Sequence, residues 1–257
     1  DTATDERIAA VNQQMQDRLM APLERLGLDP QVISAETTEE RLTMRLRLAG
    51  DEQLAGHTPR PRAPGDSLAS LQIHQSMFNN ASEQLGLNGR TFTLTELREH
   101  IIEVLNLKNS PFLNSVDKEV SVTFAEENAI LVRFENGRME LNLAVAKLSN
   151  ADHTWQNFIV RVYYQPQIEG LSARLVRDGT VQLSGPRLST RSQIALRGIF
   201  SKAFSKDREL LLVSPKWSSD PRTKDLFFSQ FVIQDGWVAV AISEPKQNIA
   251  RRPATAR

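Results

Sequence analysis

The sequence predicts an α+β fold in which a long, curved antiparallel β-meander wraps around an amphipathic helix, with a smaller N-terminal helix-plus-strands portion. Three observations predict it. After residue 118, apolar residues recur at every second position in one segment after another, which is the period of a half-buried strand. Turn dipeptides such as Asn136-Gly137 separate these segments. Elsewhere in the chain, apolar residues recur every three or four positions, as in a helix that packs on a sheet.

The composition argues against nucleic-acid binding and against metal or cofactor sites. Hydrophobic residues make up 40% of the 257-residue chain and charged residues 24%, which is enough apolar material for one large core or two moderate ones. The 31 basic and 31 acidic residues balance, so no overall positive field attracts phosphates and we predict no nucleic-acid binding. The chain has no cysteine, and no two of its four histidines have the spacing that shares a metal ion on one helix face, so no metal or cofactor is predicted.

Two features of the sequence bear on the cellular compartment. No apolar run approaches the roughly 18 to 20 residues that cross a bilayer, so no transmembrane segment is predicted. The polar, acidic residues 1–5 are compatible with export to the periplasm or cell envelope after removal of a signal. They are equally compatible with a boundary inside a longer protein, so the compartment stays open.

Residues 1–56 are predicted to form an N-terminal helix and β-hairpin. Apolar residues recur along 5–26 with the helical period, and Pro22 is expected to kink this helix or end its regular part. Two strands follow at 31–36 and 41–48, the second with apolar and polar residues in strict alternation. Residues 57–66 contain three prolines and a glycine, which predicts a linker or a long surface loop.

Residues 67–244 are predicted to form the main domain. It opens with a strand at 68–73, a helix at 75–86 and a short extended piece at 91–94. Thr93 and Glu96 have the spacing of a capping box, which predicts that a helix begins here; it is expected to end near Asn106.

A long meander of about six strands follows. Asn136-Gly137 predicts a hairpin between its second and third strands, and Asp178-Gly179 predicts a turn between its last two. The predicted strands are 120–124, 130–134, 139–145, 158–165, 171–177 and 180–184.

The most apolar helix face of the chain comes next, after a cap at Ser189 or Thr190, and we expect it against the concave side of the meander. Strands at 209–213, 226–234 and 237–243 close the domain, with an Asp235-Gly236 turn between the last two. Residues 245–257 are basic and lack apolar periodicity, so a disordered tail is predicted. The apolar residues of the helix are Leu196, Ile199, Phe200, Ala203 and Phe204.

Two stretches share one order of elements. The first 50 residues form a helix followed by strand, turn and strand, and residues 189–243 close in the same way, which indicates two related halves of which the first is present only as its end. The stretch Leu68-Ala-Ser-Leu-Gln-Ile-His-Gln-Ser-Met-Phe-Asn-Asn80, followed by 81–87 and Thr91-Phe-Thr-Leu94, resembles the start of the C-terminal half in the tubular lipid-binding superfamily of bactericidal/permeability-increasing protein. The likeness loosely covers residues 68–243, and only the stretch Leu71 to Asn80 is motif-like.

In that family a strongly curved sheet wraps a long helix and leaves an apolar tunnel for acyl chains, so the resemblance implies a lipid-like ligand. This chain lacks the cysteine pair of the animal members. Our hypothesis is non-enzymatic binding of a lipid-like or other apolar ligand between sheet and helix, and the alternative is that the same residues fill a dry core. The expected lining residues are Phe78, Leu85, Ile101, Leu105, Phe134, Leu141, Val162, Ile199, Phe200 and Phe204.

No enzyme activity is predicted, because nucleophile-elbow, phosphate-loop and dinucleotide motifs are absent. We interpret His74, which precedes Ser76, as a strand-edge side chain with a backbone partner, and Asp152-His153 as turn residues beside the anchor Trp155. The alternative function is a structural or interaction domain of a larger envelope or surface protein. Its interface would be an exposed sheet edge or the loop around Trp217, which is also a candidate contact with a membrane surface.

Overall fold

The computed structural model describes residues 9–10, 13, 16–37, 42–49, 53–104, 120–207, 209–212 and 220–245. Over these residues it confirms the predicted α+β fold: a large curled antiparallel sheet, shaped like half a barrel, packs against helices. Two smaller sheets, of two and three strands, accompany it. No helix among the described residues is both long and apolar enough to cross a membrane.

The large sheet has the strand order β10-β9-β8-β7-β5-β4, and β6 pairs with β7 as well. A short π-helix, Gln16–Met20, precedes the numbered elements. These are α1 (Ala21–Arg25), β1 (Pro30–Thr37), β2 (Leu42–Leu48), β3 (Ala69–His74), α2 (Gln75–Glu83), β4 (Thr91–Thr93), α3 (Leu94–Val104), β5 (Ser121–Phe124), β6 (Ile130–Glu135), β7 (Arg138–Ser149), β8 (Thr154–Glu169), β9 (Ser172–Ser184), α4 (Thr190–Ala203), β10 (Leu210–Leu211), β11 (Phe227–Gln234) and β12 (Trp237–Ser243).

Alternation along the strands gives the large sheet one buried face. On β8, Phe158, Val160 and Val162 are at most 2% exposed, because successive side chains point to opposite faces and these three point inward. The predicted hairpin at Asn136-Gly137 is confirmed. Its two residues have φ of 53° and 76°, and a type I′ turn requires positive φ at both.

The turn predicted at Asp178-Gly179 is wrong. Residues 172–184 form one continuous strand, and the pairing with β8 shifts register there: Tyr163 lies opposite Asp178, whereas Arg161 lies opposite Gln182. The extra residues make a bulge, for which the positive φ of Gly179 (69°) is as suitable as it is for a turn.

The large sheet does not include the last two of the strands that were predicted to close the domain. The last two strands, β11 and β12, do not continue it; they form a separate three-stranded sheet in which β12 pairs with β3. The Asp235-Gly236 turn between them is confirmed, with φ of 51° and 84°. Local patterning identified both strands but not the partner that lies more than half the chain away in sequence.

Side-chain caps set where the helices begin. Before α3, Glu96 Oε2 accepts the Thr93 N–H at 2.7 Å and Thr93 Oγ1 accepts the Glu96 N–H at 3.2 Å, so the predicted capping box is confirmed. Ser189 caps α4 by accepting the Ser192 N–H at 3.2 Å, also as predicted. The expected end of α3 near Asn106 lies outside the described residues.

Helix α4 lies on the inner side of the large sheet, as expected. Its Leu196 is 0% exposed and its Phe200 is 8% exposed. Phe200 meets the inward-facing Phe158 of β8 edge to face, with ring centroids 6.1 Å apart. The sheet therefore curves around this helix.

The N-terminal residues depart from a single regular helix. Pro22 lies in the first turn of α1, directly after the π-helix, so the regular α-helical part near it is only five residues long. β1 and β2 pair antiparallel as a two-stranded sheet, as predicted. The proline-rich residues 57–66 have no regular structure and are fastened to the three-stranded sheet, since Gln230 Nε2 donates to the Arg62 carbonyl at 2.9 Å.

Candidate functional site

The predicted lining residues come together in one apolar cluster on the inner face of the large sheet. Nine of the ten are described, and Leu105 lies outside the described residues. Four are buried: Leu85, Phe134, Val162 and Phe200, which are 9%, 3%, 1% and 8% exposed. The other five pack against these residues but keep accessible surface; they are Phe78, Ile101, Leu141, Ile199 and Phe204.

Leu141 shows most directly where space borders the inner face. It lies on β7 between Val132 of β6 and Val162 of β8, its direct partners on either side, so all three side chains share one face. Val132 and Val162 are 8% and 1% exposed, whereas Leu141 is half-buried. Its neighbours on the same face, Met139 and Leu143, are also half-buried. An accessible apolar row thus runs along the middle of the sheet.

Aromatic rings line this face. Phe78 of α2 meets Phe134 of β6 edge to face at 5.4 Å. Phe204 stacks on Phe200 at 6.5 Å at the end of α4. Helix α2 packs on β6 and α4 packs on β9, so different parts of the sheet carry the two aromatic groups. Arg177 of β9 donates a hydrogen bond to the Phe204 carbonyl and so fixes the end of α4.

A cleft of about 940 Å³ lies where the two sheets meet. Two hairpin turns form its floor, and they exchange hydrogen bonds: the Gly137 N–H donates to the Ile233 carbonyl and the Gly236 N–H donates to the Phe134 carbonyl, both at 2.9 Å. The walls combine an apolar side with a polar rim. The apolar residues are Pro59, Pro166, Phe231, Val232 and Ile233, and the rim has Thr58, His74, Gln75, Glu135, Asn136, Gln234 and Asp235.

This cleft was not predicted, and none of the nine described lining residues belongs to its wall. The dipeptides Asn136-Gly137 and Asp235-Gly236 each predicted a turn. The contact between the two turns depends on how the two sheets pack, which local sequence does not predict. The lining can accommodate a group that is apolar on one side and hydrogen-bonded on the other.

His74 is one of the titratable side chains that line the cleft. Its Nδ1 accepts the Ser76 N–H at 3.1 Å and lies 2.9 Å from Ser76 Oγ, so His74 caps α2, and the predicted backbone partner of this edge residue is confirmed. Burial, followed by the charge of His57, lowers the pKa of His74 from its ordinary value. The Trp237 ring packs against the imidazole at 5.0 Å. These contacts give His74 a positioning role in the fold.

Two buried amides were missed by the sequence analysis. Asn79 bonds both backbone groups of Val132: its Oδ1 accepts the N–H at 2.7 Å and its Nδ2 donates to the carbonyl at 3.1 Å. Asn80 does the same for Leu54, at 3.1 and 2.8 Å. The side chains are 8% and 3% exposed. The pair joins α2 to the large sheet on one side and to the N-terminal portion on the other.

The Asp152-His153 segment forms the predicted turn. Asn150 Oδ1 accepts the N–H groups of Asp152 and His153, at 3.1 and 2.8 Å. Trp155 anchors it, being 7% exposed, and the exposed His153 ring stacks on the indole at 5.5 Å. The loop around Trp217 and the tail 246–257 lie outside the described residues, so the predictions about them stay predictions.

In the part of the chain that the structure describes, no group of three or more His, Asp or Glu side chains is arranged to hold a metal ion. Comparison with known proteins adds no assignment. No protein-family model matches the chain, and no curated protein matches it significantly.

Proposed function

We propose that this protein is a non-enzymatic binding protein that holds a lipid-like or other apolar ligand between the curled sheet and its helices. The observation that supports the proposal is the accessible row on β7. Leu141 faces inward between two nearly inaccessible valines and still keeps accessible surface. In a fully dry core, a side chain in that position would have none.

The size of the ligand follows from the energy of burial. Covering one methylene group contributes about 0.8 kcal/mol. An acyl chain of roughly ten methylenes thus contributes about 8 kcal/mol, which is comparable with the free-energy cost of the translational and rotational entropy lost on association. A ligand of two or three carbons contributes too little to offset that cost. We therefore expect a long-chain ligand whose polar end remains at the surface.

The direct test compares the native mass of the purified protein with its denatured mass, and extracts with organic solvent whatever is lost between them. A difference that extracts as lipid supports the proposal. A native mass equal to the denatured mass, together with no uptake of a fluorescent long-chain fatty acid on titration, contradicts it.

A matched pair of variants locates the site. Leu141→Trp fills the space beside the inner face, so we expect at least about tenfold weaker uptake of the fatty acid. Ile159→Trp adds a similar bulk to a 39%-exposed position on the neighbouring strand β8, on the opposite face, and should leave uptake unchanged. Equal uptake by both variants would place any ligand elsewhere. Chemical denaturation of both proteins checks that each is folded.

A second candidate function is a structural or interaction domain with a sheet edge as its interface. In the described part of the chain, β3 pairs only with β12, so its other edge carries unpaired backbone groups. Leu68 and Leu71 beside that edge are 57% and 56% exposed, and residues 67–80 contain no charge that would discourage strand pairing. If no lipid is found, Leu71→Lys should reduce any association seen by sedimentation velocity.

A further inference from the structure

The segment around α4 carries positive charge without negative charge. The whole chain has a formal net charge of zero, yet residues 185–206 contain no Asp or Glu. All of the basic side chains in this segment are exposed. They are Arg187, Arg191, Arg197, Lys202 and Lys206.

Helix periodicity places two of these charges, those of Arg191 and Lys202, opposite the core. Leu196 and Phe200 face the sheet and are 0% and 8% exposed. An exposed stripe runs along the other side of α4, at the spacing i, i+3, i+4, i+7 and i+11. The stripe consists of Arg191, Ile194, Ala195, Gly198 and Lys202.

None of the five basic side chains forms an ion pair with another described residue. Of the acidic side chains that follow the segment, Glu209 pairs with Arg174 at 3.1 Å, and the exposed Asp207 accepts a hydrogen bond from the Ser205 hydroxyl beyond the end of the helix. The positive charge of the helix is therefore not neutralised by the described part of the chain. An external anionic surface is the complement that it fits.

An exposed apolar side chain lies within this basic surface. Ile194 is 65% exposed in the middle of the stripe. At the same edge of the sheet, Leu212 is 45% exposed and directly follows β10, which pairs with β9, the strand on which α4 packs. Basic side chains that surround apolar ones are typical of helices that lie in a membrane interface, where cations meet lipid phosphates and apolar groups enter the acyl boundary.

The same features disfavour a nucleic-acid partner. Single strands are held by aromatic rings on which bases stack, in addition to positive charge. The aromatic residues of α4, Phe200 and Phe204, belong to or pack against the core, and the exposed stripe has none. We propose that the outer face of α4 docks on the surface of a membrane that contains anionic phospholipid. This surface lies on the opposite side of α4 from the ligand space, so the inference does not depend on the proposed function.

The test is co-sedimentation of the whole protein with vesicles. We expect binding to vesicles that contain phosphatidylglycerol, little binding to pure phosphatidylcholine, and a marked loss of binding when salt screens the charges. Equal binding to both kinds of vesicle, or no binding to either at low salt, would overturn the proposal.

A matched pair of triple variants tests the location. Each basic residue near an anionic membrane contributes about fivefold to binding, so Arg191→Gln/Arg197→Gln/Lys202→Gln should bind about a hundredfold more weakly. The control changes three exposed basic residues on other elements to glutamine and has the same net charge. It replaces Arg133, Lys147 and Lys224.

A control triple variant that loses as much binding as the α4 variant would mean that net charge alone attracts the protein, and would overturn the proposal. Tighter binding to a single-stranded oligonucleotide than to the anionic vesicles would also overturn it. Ile194→Ser should weaken vesicle binding at low and high salt alike, because it removes the apolar contact rather than a charge. Uptake of the fluorescent fatty acid by the α4 variant should be unchanged, which separates this test from that of the proposed function.

Discussion

Gly236 lies against His74 in the cleft, and a Cβ at Gly236 would be only 2.6 Å from His74 Nε2. Gly236 also has a φ of 84°, which other residues rarely adopt. Gly236→Ala should therefore lower the free energy of unfolding by about 3 kcal/mol, because steric crowding adds to the backbone strain. Chemical denaturation measures the change.

Gly137 provides the matched control for that substitution. Its φ is 76°, in the other turn of the cleft floor, but nothing lies within 4 Å of a Cβ built there. Gly137→Ala should lower the free energy of unfolding by about 1 kcal/mol, from backbone strain alone. Equal losses in the two variants would show that the contact with His74 contributes nothing.

His74 should make stability depend on pH. Since its pKa in the folded protein is lowered from 6.5, the unfolded chain takes up a proton at higher pH than the folded chain. The free energy of unfolding should thus fall as the pH drops below 6.5. His74→Asn keeps a capping side chain that does not titrate, so the fall should be shallower. His153→Asn, at an exposed turn position, is the control; thermal unfolding at pH 5 and pH 7 compares the three proteins, and equal slopes would contradict the prediction.

Asn79→Leu should be among the most destabilising single changes. It leaves the N–H and carbonyl of Val132 without their partner at a buried position, which costs about 2 to 4 kcal/mol. Asn150→Leu also removes an amide that bonds two backbone groups, but in a more exposed turn where water replaces it, so about 1 kcal/mol is expected. Urea denaturation gives both values; a smaller loss for Asn79→Leu would mean that α2 and β6 are joined mainly by apolar packing.

The capping box of α3 should respond to acid. The Thr93 N–H, and after it the Thr93 hydroxyl, lower the pKa of the Glu96 carboxyl from 4.5. Its contribution to stability is present above the unfolded value and is lost as the pH falls through the lower folded value. Glu96→Gln keeps a side-chain oxygen that does not titrate, so this loss should disappear. An NMR titration of the Glu96 carboxyl that gives a value at or above 4.5 would contradict the assignment.

Local patterns predicted most of the elements because strand and helix periods are properties of neighbouring residues. The alternation at 139–145 and the Asn136-Gly137 turn need no distant information. Asp178-Gly179 shows the limit, since a positive φ suits both a turn and a bulge and only the pairing with β8 decides between them. β11 and β12 likewise form a separate sheet because β12 pairs with β3, and no local sequence pattern predicts that long-range pairing.

For the candidate site, the sequence predicted which residues lie on the inner face of the sheet but not which of them keep accessible surface. Apolar periodicity placed Leu141 and Val162 on the inner side of the sheet, but the difference in their exposure depends on what packs across from them. Asn79 and Asn80 resemble ordinary polar residues of a helix. They are buried because β6 and residue 54 bring unpaired backbone groups to them, which is a property of the tertiary structure.

The pairing of β3 with β12 affects the order in which the chain can fold as it is made. β3 is synthesised well before its only partner among the described strands, which ends at Ser243. During synthesis both edges of this uncharged strand stay unpaired while nearly all of the intervening residues leave the ribosome. Closing so long a loop makes this pairing a late event and exposes β3 to other nascent chains until then, so a chaperone that shields residues 68–74 would increase the yield of folded protein.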